Sequence, residues 1–115
     1  MGIKIKRVYE LPEDGDGRRI LVDRLWPRGL SRESAKINLW LKDVAPSTEL
    51  RTWFGHDPGK WAAFQKRYRD ELRNNPEPVA ILKSEAANGP VTLLYGAKDE
   101  EHNQAVVLQK MLSSK

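Results

Sequence analysis

The sequence predicts an α/β fold: a small mixed, partly parallel sheet of three or four strands, packed with helices in a single layered domain. Short apolar runs bounded by turn residues alternate with stretches whose apolar residues recur every three or four positions. The run from Val91 to Tyr95 passes through Gly96 straight into a helical pattern, the strand-turn-helix order of α/β proteins. A chain of 115 residues suits one domain with a core of its own.

Ile3 to Val8 reads as the first strand, with Ile3 and Ile5 on one face and Lys4 and Lys6 on the other. The polar, glycine-bearing cluster Pro12 to Gly17 turns the chain into a second strand, from Arg19 to about Leu25. Ser31 is placed to cap a short helix containing Glu33 and Ala35. Ile37, Leu39 and Leu41 alternate with polar neighbours and Trp40, the pattern of a half-buried strand, although a helix also fits this piece.

Pro46-Ser47 opens a helix with Leu50, Trp53 and Phe54 on one face, and Gly55 to Pro58 breaks it. Asp57 as N-cap, with Pro58 after it, starts a longer helix whose stripe is Trp61, Phe64, Tyr68 and Leu72. That stripe is expected to be buried against the sheet. Pro78 begins another helix through Ala87, stopped by Asn88-Gly89-Pro90. After the Val91 to Tyr95 strand, a final helix is expected from about Glu100 to Leu112, with Asp99 as its N-cap.

Composition narrows the function classes. There is no cysteine, so disulfides, thiolate metal sites and thiol nucleophiles are excluded. No apolar run approaches the roughly 18 residues of a membrane span, and the start lacks a signal peptide's apolar region. A cytoplasmic protein that does not enter membranes is the expectation. The net charge of +4 is spread with both signs through the chain. It favours mild attraction to polyanions rather than the one-sided basic stripe of a nucleic-acid module.

The most informative stretch is Leu21 to Leu30, where an apolar run meets Asp23-Arg24, a Trp26-Pro27 corner and Arg28-Gly29. It places two arginines and an aspartate past the carboxyl end of a strand, where open α/β sheets bind ligands. Guanidinium forks match phosphate or carboxylate oxygens, so Arg24 and Arg28 are candidate anion ligands, with Asp23 orienting Arg24. An internal ion pair between Asp23 and an arginine, with the other arginine on the surface, is the alternative.

Tyr95 to Asn103 forms the second cluster. Its strand, glycine and helix start resemble a phosphate-holding turn, but Asp99, Glu100 and Glu101 would repel an anion in a first helical turn. It is not a Walker loop. Tyr95, Lys98, His102 and Asn103 remain candidate pocket residues.

His56, in a turn beside Asp57, and His102 are the two histidines and the side chains suited to proton transfer near neutrality. Candidates for the reacting or recognised group are thus His56, Tyr95 and Lys98; candidates for ligand contact are Asp23, Arg24, Trp26, Arg28, His102 and Asn103. Trp26 and Trp40 can stack on a flat ligand or serve as packing. The histidine spacing carries no metal signature, and no residue pattern calls for a metal or a cofactor.

Four motifs in order, Val22-Asp23-Arg24-Leu25-Trp26-Pro27-Arg28-Gly29, Trp40 to Ser47, Trp53-Phe54-Gly55-His56-Asp57-Pro58 and Leu94 to Asp99, resemble the YeaO-like branch of domain-of-unknown-function family 488. The resemblance spans nearly the whole chain. It implies a small, stand-alone bacterial or archaeal cytoplasmic domain and supplies no catalytic mechanism. The residues by themselves favour a pocket for an anionic small molecule, such as a nucleotide or phosphorylated metabolite. A non-catalytic nucleic-acid-binding module and a structural or partner-binding domain are the rivals. Whether the chain is an enzyme stays open.

Overall fold

The computed structural model describes residues 3–113. Among them, four strands form one sheet in the order β1-β4-β2-β3: β1 (Ile3–Arg7), β2 (Arg18–Leu21), β3 (Leu39–Trp40) and β4 (Val91–Tyr95). Five helices accompany them: α1 (Arg32–Ala35), α2 (Thr48–Phe54), α3 (Trp61–Arg73), α4 (Pro76–Ala87) and α5 (Gln104–Ser113). The α/β class is as the sequence predicts. Every pairing is parallel, however, so the expected mixed sheet is corrected to a wholly parallel one. The cause is the connections. Antiparallel neighbours can be joined by a tight hairpin, whereas β2 and β3, successive strands that do pair, are joined through residues 22–38, long enough for a parallel crossover.

β4 lies inside the sheet, pairing Ile5 with Leu93 on one side and Ile20 with Leu93 on the other. All five of its residues are buried, as expected for a parallel strand covered on both faces. One face carries Ile20, Val91, Leu93 and Tyr95 into the main core, against Leu50 and Phe54 of α2, Phe64, Tyr68 and Leu72 of α3, Leu82 of α4 and Leu108 of α5. The other face carries Leu21 and Leu94 into a smaller core with Ala35 and Ile37, and with Trp26, Leu30 and Trp40 packed against it.

Several local expectations hold in detail. Ser31 caps α1 by accepting from the Ser34 N–H, and Ser47 caps α2 by accepting from the Leu50 N–H. Asp57 accepts from the Gly59 N–H, but it caps a 3-10 turn, Pro58–Lys60, that runs on into α3.

Others shift. The second strand stops at Leu21, four residues before Leu25, because Val22 makes the last bond to Leu94 and Asp23 turns away to hold Gly96. The Ile37 to Leu41 alternation pairs only at Leu39 and Trp40, with a 3-10 turn following at Lys42–Val44. α4 begins at Pro76, two residues earlier than Pro78. Trp61 is half-buried, whereas Phe64, Tyr68 and Leu72 are buried as expected.

A candidate anion cleft at the carboxyl end of the sheet

Leu21 of β2 pairs with Leu94 of β4, so the two strands leave the sheet side by side. Asp23 and Gly96 then meet: the Gly96 N–H donates to Asp23 Oδ2 at 2.8 Å. A Cβ at position 96 would lie 2.9 Å from that oxygen, so glycine permits the approach. Asp23 Oδ1 accepts from the side-chain amide of Gln104, and the Trp40 indole N–H donates to the Asp23 carbonyl at 2.8 Å. Burial pushes the Asp23 carboxyl above its ordinary pKa, opposed by the Gly96 and Gln104 hydrogen bonds and the charge of Arg51.

The segment after Asp23 is braced by its own side chains. Arg24 donates to the carbonyls of Ala45 at 3.2 Å and Pro46 at 3.4 Å, which fixes it to the loop before α2 rather than to Asp23. The Trp26 indole donates to the Leu30 carbonyl at 2.7 Å and stands edge-on to Trp40 at 5.2 Å. Trp26 is therefore spent on holding the corner. Tyr9 donates its hydroxyl to the Arg28 carbonyl at 3.2 Å, and the exposed Arg28 guanidinium has no ion-pair partner among the described residues.

Tyr9, Asp23, Arg24, Trp26, Arg28 and Gly96 line a cleft of about 640 Å³, together with Arg51, Thr48 and Thr52 of α2, and with Phe54, His56, Phe64, His102, Asn103 and Gln104. Arg24, Arg28 and Arg51 are its three guanidinium groups, and Asp23 is its one carboxylate. His56 takes the left-handed conformation, φ +59°. His102 Nδ1 lies 2.8 Å from Asp99 Oδ2, and its ring stands edge-on to Trp61 at 5.2 Å.

A carboxylate bonded to an imidazole orients it as general bases are oriented. Among the described residues, however, no hydroxyl is hydrogen-bonded to the His102 ring to act as nucleophile. Nor do three or more His, Asp or Glu residues converge to hold a metal there.

The second predicted cluster divides. α5 starts at Gln104, not at Glu100, because Asp99 accepts from the Glu101 and His102 N–H groups and closes a turn of its own. Asn103 caps the helix instead, accepting from the Val106 N–H at 3.2 Å and donating to the Asp99 carbonyl at 2.9 Å. The three acids therefore precede the helix rather than occupying its first turn. Tyr95 is 2 % exposed, belongs to the main core and does not line the cleft. Burial pushes its phenol above the ordinary pKa. Lys98 is exposed and also lies outside the lining.

Over residues 2–115 the chain matches the family described as "Inactive DUF488-N3 subclade". It belongs to this family. The chain is 43% identical over 114 residues to "Uncharacterized protein YeaO" of Escherichia coli (strain K12), with 99% of both chains covered. It is 35% identical over 113 residues to "Uncharacterized protein Mb3100c" of Mycobacterium bovis, covering 98% of this chain and 95% of that one. No solved structure matches.

In this DUF488 chain the cleft also uses residues that the sequence motifs pass over. Thr48, Arg51 and Thr52 lie three and four positions apart on α2, the spacing of one helix face, and the buried Leu50 stands outside the lining. Tyr9 and Gln104 carry no such signal. They reach the cleft through the sheet order, which sets the ends of β1 and β4 beside the end of β2.

Proposed function

We propose that the cleft is a non-catalytic receptor for a small anion, either a nucleotide or another phosphorylated metabolite, in the cytoplasm. The observation that carries this reading is the grouping of Arg24, Arg28 and Arg51 around a single carboxylate, at the carboxyl ends of β2 and β4. Ligands of parallel α/β sheets bind at that end. Guanidinium groups present paired donors to phosphate or carboxylate oxygens. Arg28 and Arg51 have no ion-pair partner among the described residues, which leaves their charge available to a ligand. Arg24, tied to two carbonyls, is positioned in advance.

Binding without turnover accords with the word "Inactive" in the description of the matching subclade. It also accords with the lack, among the described residues, of a hydroxyl bonded to the His102 ring. A chain without cysteine suits a reducing compartment.

Tryptophan fluorescence titration with inorganic phosphate tests the reading. Arg28→Ala should weaken binding by at least about tenfold, since hydrogen bonds to charged groups are worth about 1.5–3 kcal/mol. Lys98→Ala should leave it unchanged. Equal losses in the two variants, or no saturable binding by the wild type, would overturn it. A shallow dependence on salt is expected for one small anion. A steep one would favour the rival nucleic-acid reading, where many counterions are released.

A further inference from the structure

We propose that the bound anion carries a flat ring, that Tyr9 and Leu25 form the wall on which the ring lies, and that the ligand class is nucleoside monophosphates. This inference rests on the anion-binding reading above and narrows it.

Leu25 is 65% exposed and Tyr9 is 44% exposed, and both line the same cleft as the arginines. Large apolar side chains left in water beside a cationic pocket gain stability when a ligand covers them. Leu25 follows Arg24 directly, so one loop presents the cation and the apolar surface together.

Tyr9 is held in place. Its hydroxyl donates to the Arg28 carbonyl at 3.2 Å, and the Arg7 guanidinium sits 5.3 Å from its ring centre. Arg7 is itself fixed, donating from Nε to the Ala97 carbonyl at 3.0 Å. An aromatic ring held in this way loses little freedom on stacking. Inorganic phosphate or a sugar phosphate would leave the wall uncovered.

Asp23 supplies the third requirement. Each of its oxygens accepts one hydrogen bond, from Gly96 and from Gln104. A carboxylate has about four lone-pair sites, so it can accept further bonds from a ribose hydroxyl or an amino group. Anion, ring and donor occur together in a nucleoside monophosphate. The cleft, at about 640 Å³, is within the size range of small-molecule sites.

Isothermal titration with inorganic phosphate, ribose 5-phosphate and adenosine 5′-monophosphate tests this on the wild type, Tyr9→Ala and Tyr9→Phe. The nucleotide should bind about tenfold more tightly than ribose 5-phosphate, the scale of one base stacking on an aromatic side chain. Tyr9→Ala should remove that advantage and leave ribose 5-phosphate unaffected, while Tyr9→Phe should keep most of it. If the two organic phosphates bind equally well, the ring wall is wrong and the anion reading survives. If Tyr9→Ala weakens all three ligands equally, Tyr9 only positions Arg28 and the proposal fails. If none of the three binds, both readings fail.

Discussion

Asp16 and Arg19 are 1 % and 3 % exposed, and they hold opposite charges inside the smaller-core side of the sheet. Asp16 accepts from Arg19 at 2.5 Å, from Lys6 at 3.1 Å and from the Glu13 N–H at 3.0 Å. Burial alone would push its carboxyl up. The hydrogen bonds from Glu13, Lys6 and Arg19 outweigh burial and hold it below the ordinary carboxylate pKa. Its stabilising contribution is therefore present above the unfolded carboxylate pKa and is lost as pH falls through the lowered folded value.

Asp16→Ala should destabilise the protein by about 3–5 kcal/mol at neutral pH, because Arg19 would be left buried without its counter-charge. One Arg19 nitrogen, Nη2, already has no partner among the described residues. Urea denaturation at neutral and acid pH would show the gap between variant and wild type narrowing in acid. A neutral midpoint that does not move would refute the assignment. His56 offers the opposite case. Its φ of +59° costs a non-glycine residue about 1 kcal/mol. His56→Gly should thus raise thermal stability slightly, and a lowered Tm would show that the imidazole holds the turn.

α3 shows how far periodicity carries at the scale of an element. Phe64, Tyr68 and Leu72 are buried where their spacing puts them, and Tyr68 also donates its hydroxyl to the Val44 carbonyl at 2.5 Å. Trp61 has the same spacing but opens the helix beside Phe54, Phe64 and His102, and it keeps part of its surface in water. Phe64→Ala should cost about 3–5 kcal/mol, the range for emptying an aromatic core site. Trp61→Ala should cost less, since part of the indole stays in water in the folded protein. Denaturant midpoints for the two variants give the comparison, and an equal or larger loss at Trp61 would contradict it. α5 illustrates the limit of local signals: Asp99 and Asn103 are both good caps, and tertiary placement of the Asp99 turn passes the role to Asn103.

For the whole molecule, the decisive constraint is that β4, late in the chain, inserts between β1 and β2. Gly17 guards that junction. It has φ +66°, and a Cβ there would lie 2.8 Å from the carbonyl carbon of Pro90, just before β4. Gly17→Ala should cost more than the roughly 1–2 kcal/mol of the left-handed conformation alone, because the clash is with backbone. A Tm close to the wild type's would mean that the start of β2 can shift away from β4.

The elements themselves were legible locally. The caps at Ser31 and Ser47, the buried β4 run and the α3 stripe follow from side-chain chemistry and periodicity within a few residues. The Asp23 to Arg28 segment could likewise be recognised as a strand-end loop rich in anion-binding groups. Tertiary structure alone decided the order and direction of the strands, which depend on contacts between residues far apart in sequence. It alone brought Tyr9, Arg51 and Gln104 to that loop, and took Tyr95 into the core. The physical reason is that a local pattern reports which face of an element is apolar. Which neighbour covers that face, and which polar ends then converge, is set by packing the whole chain at once.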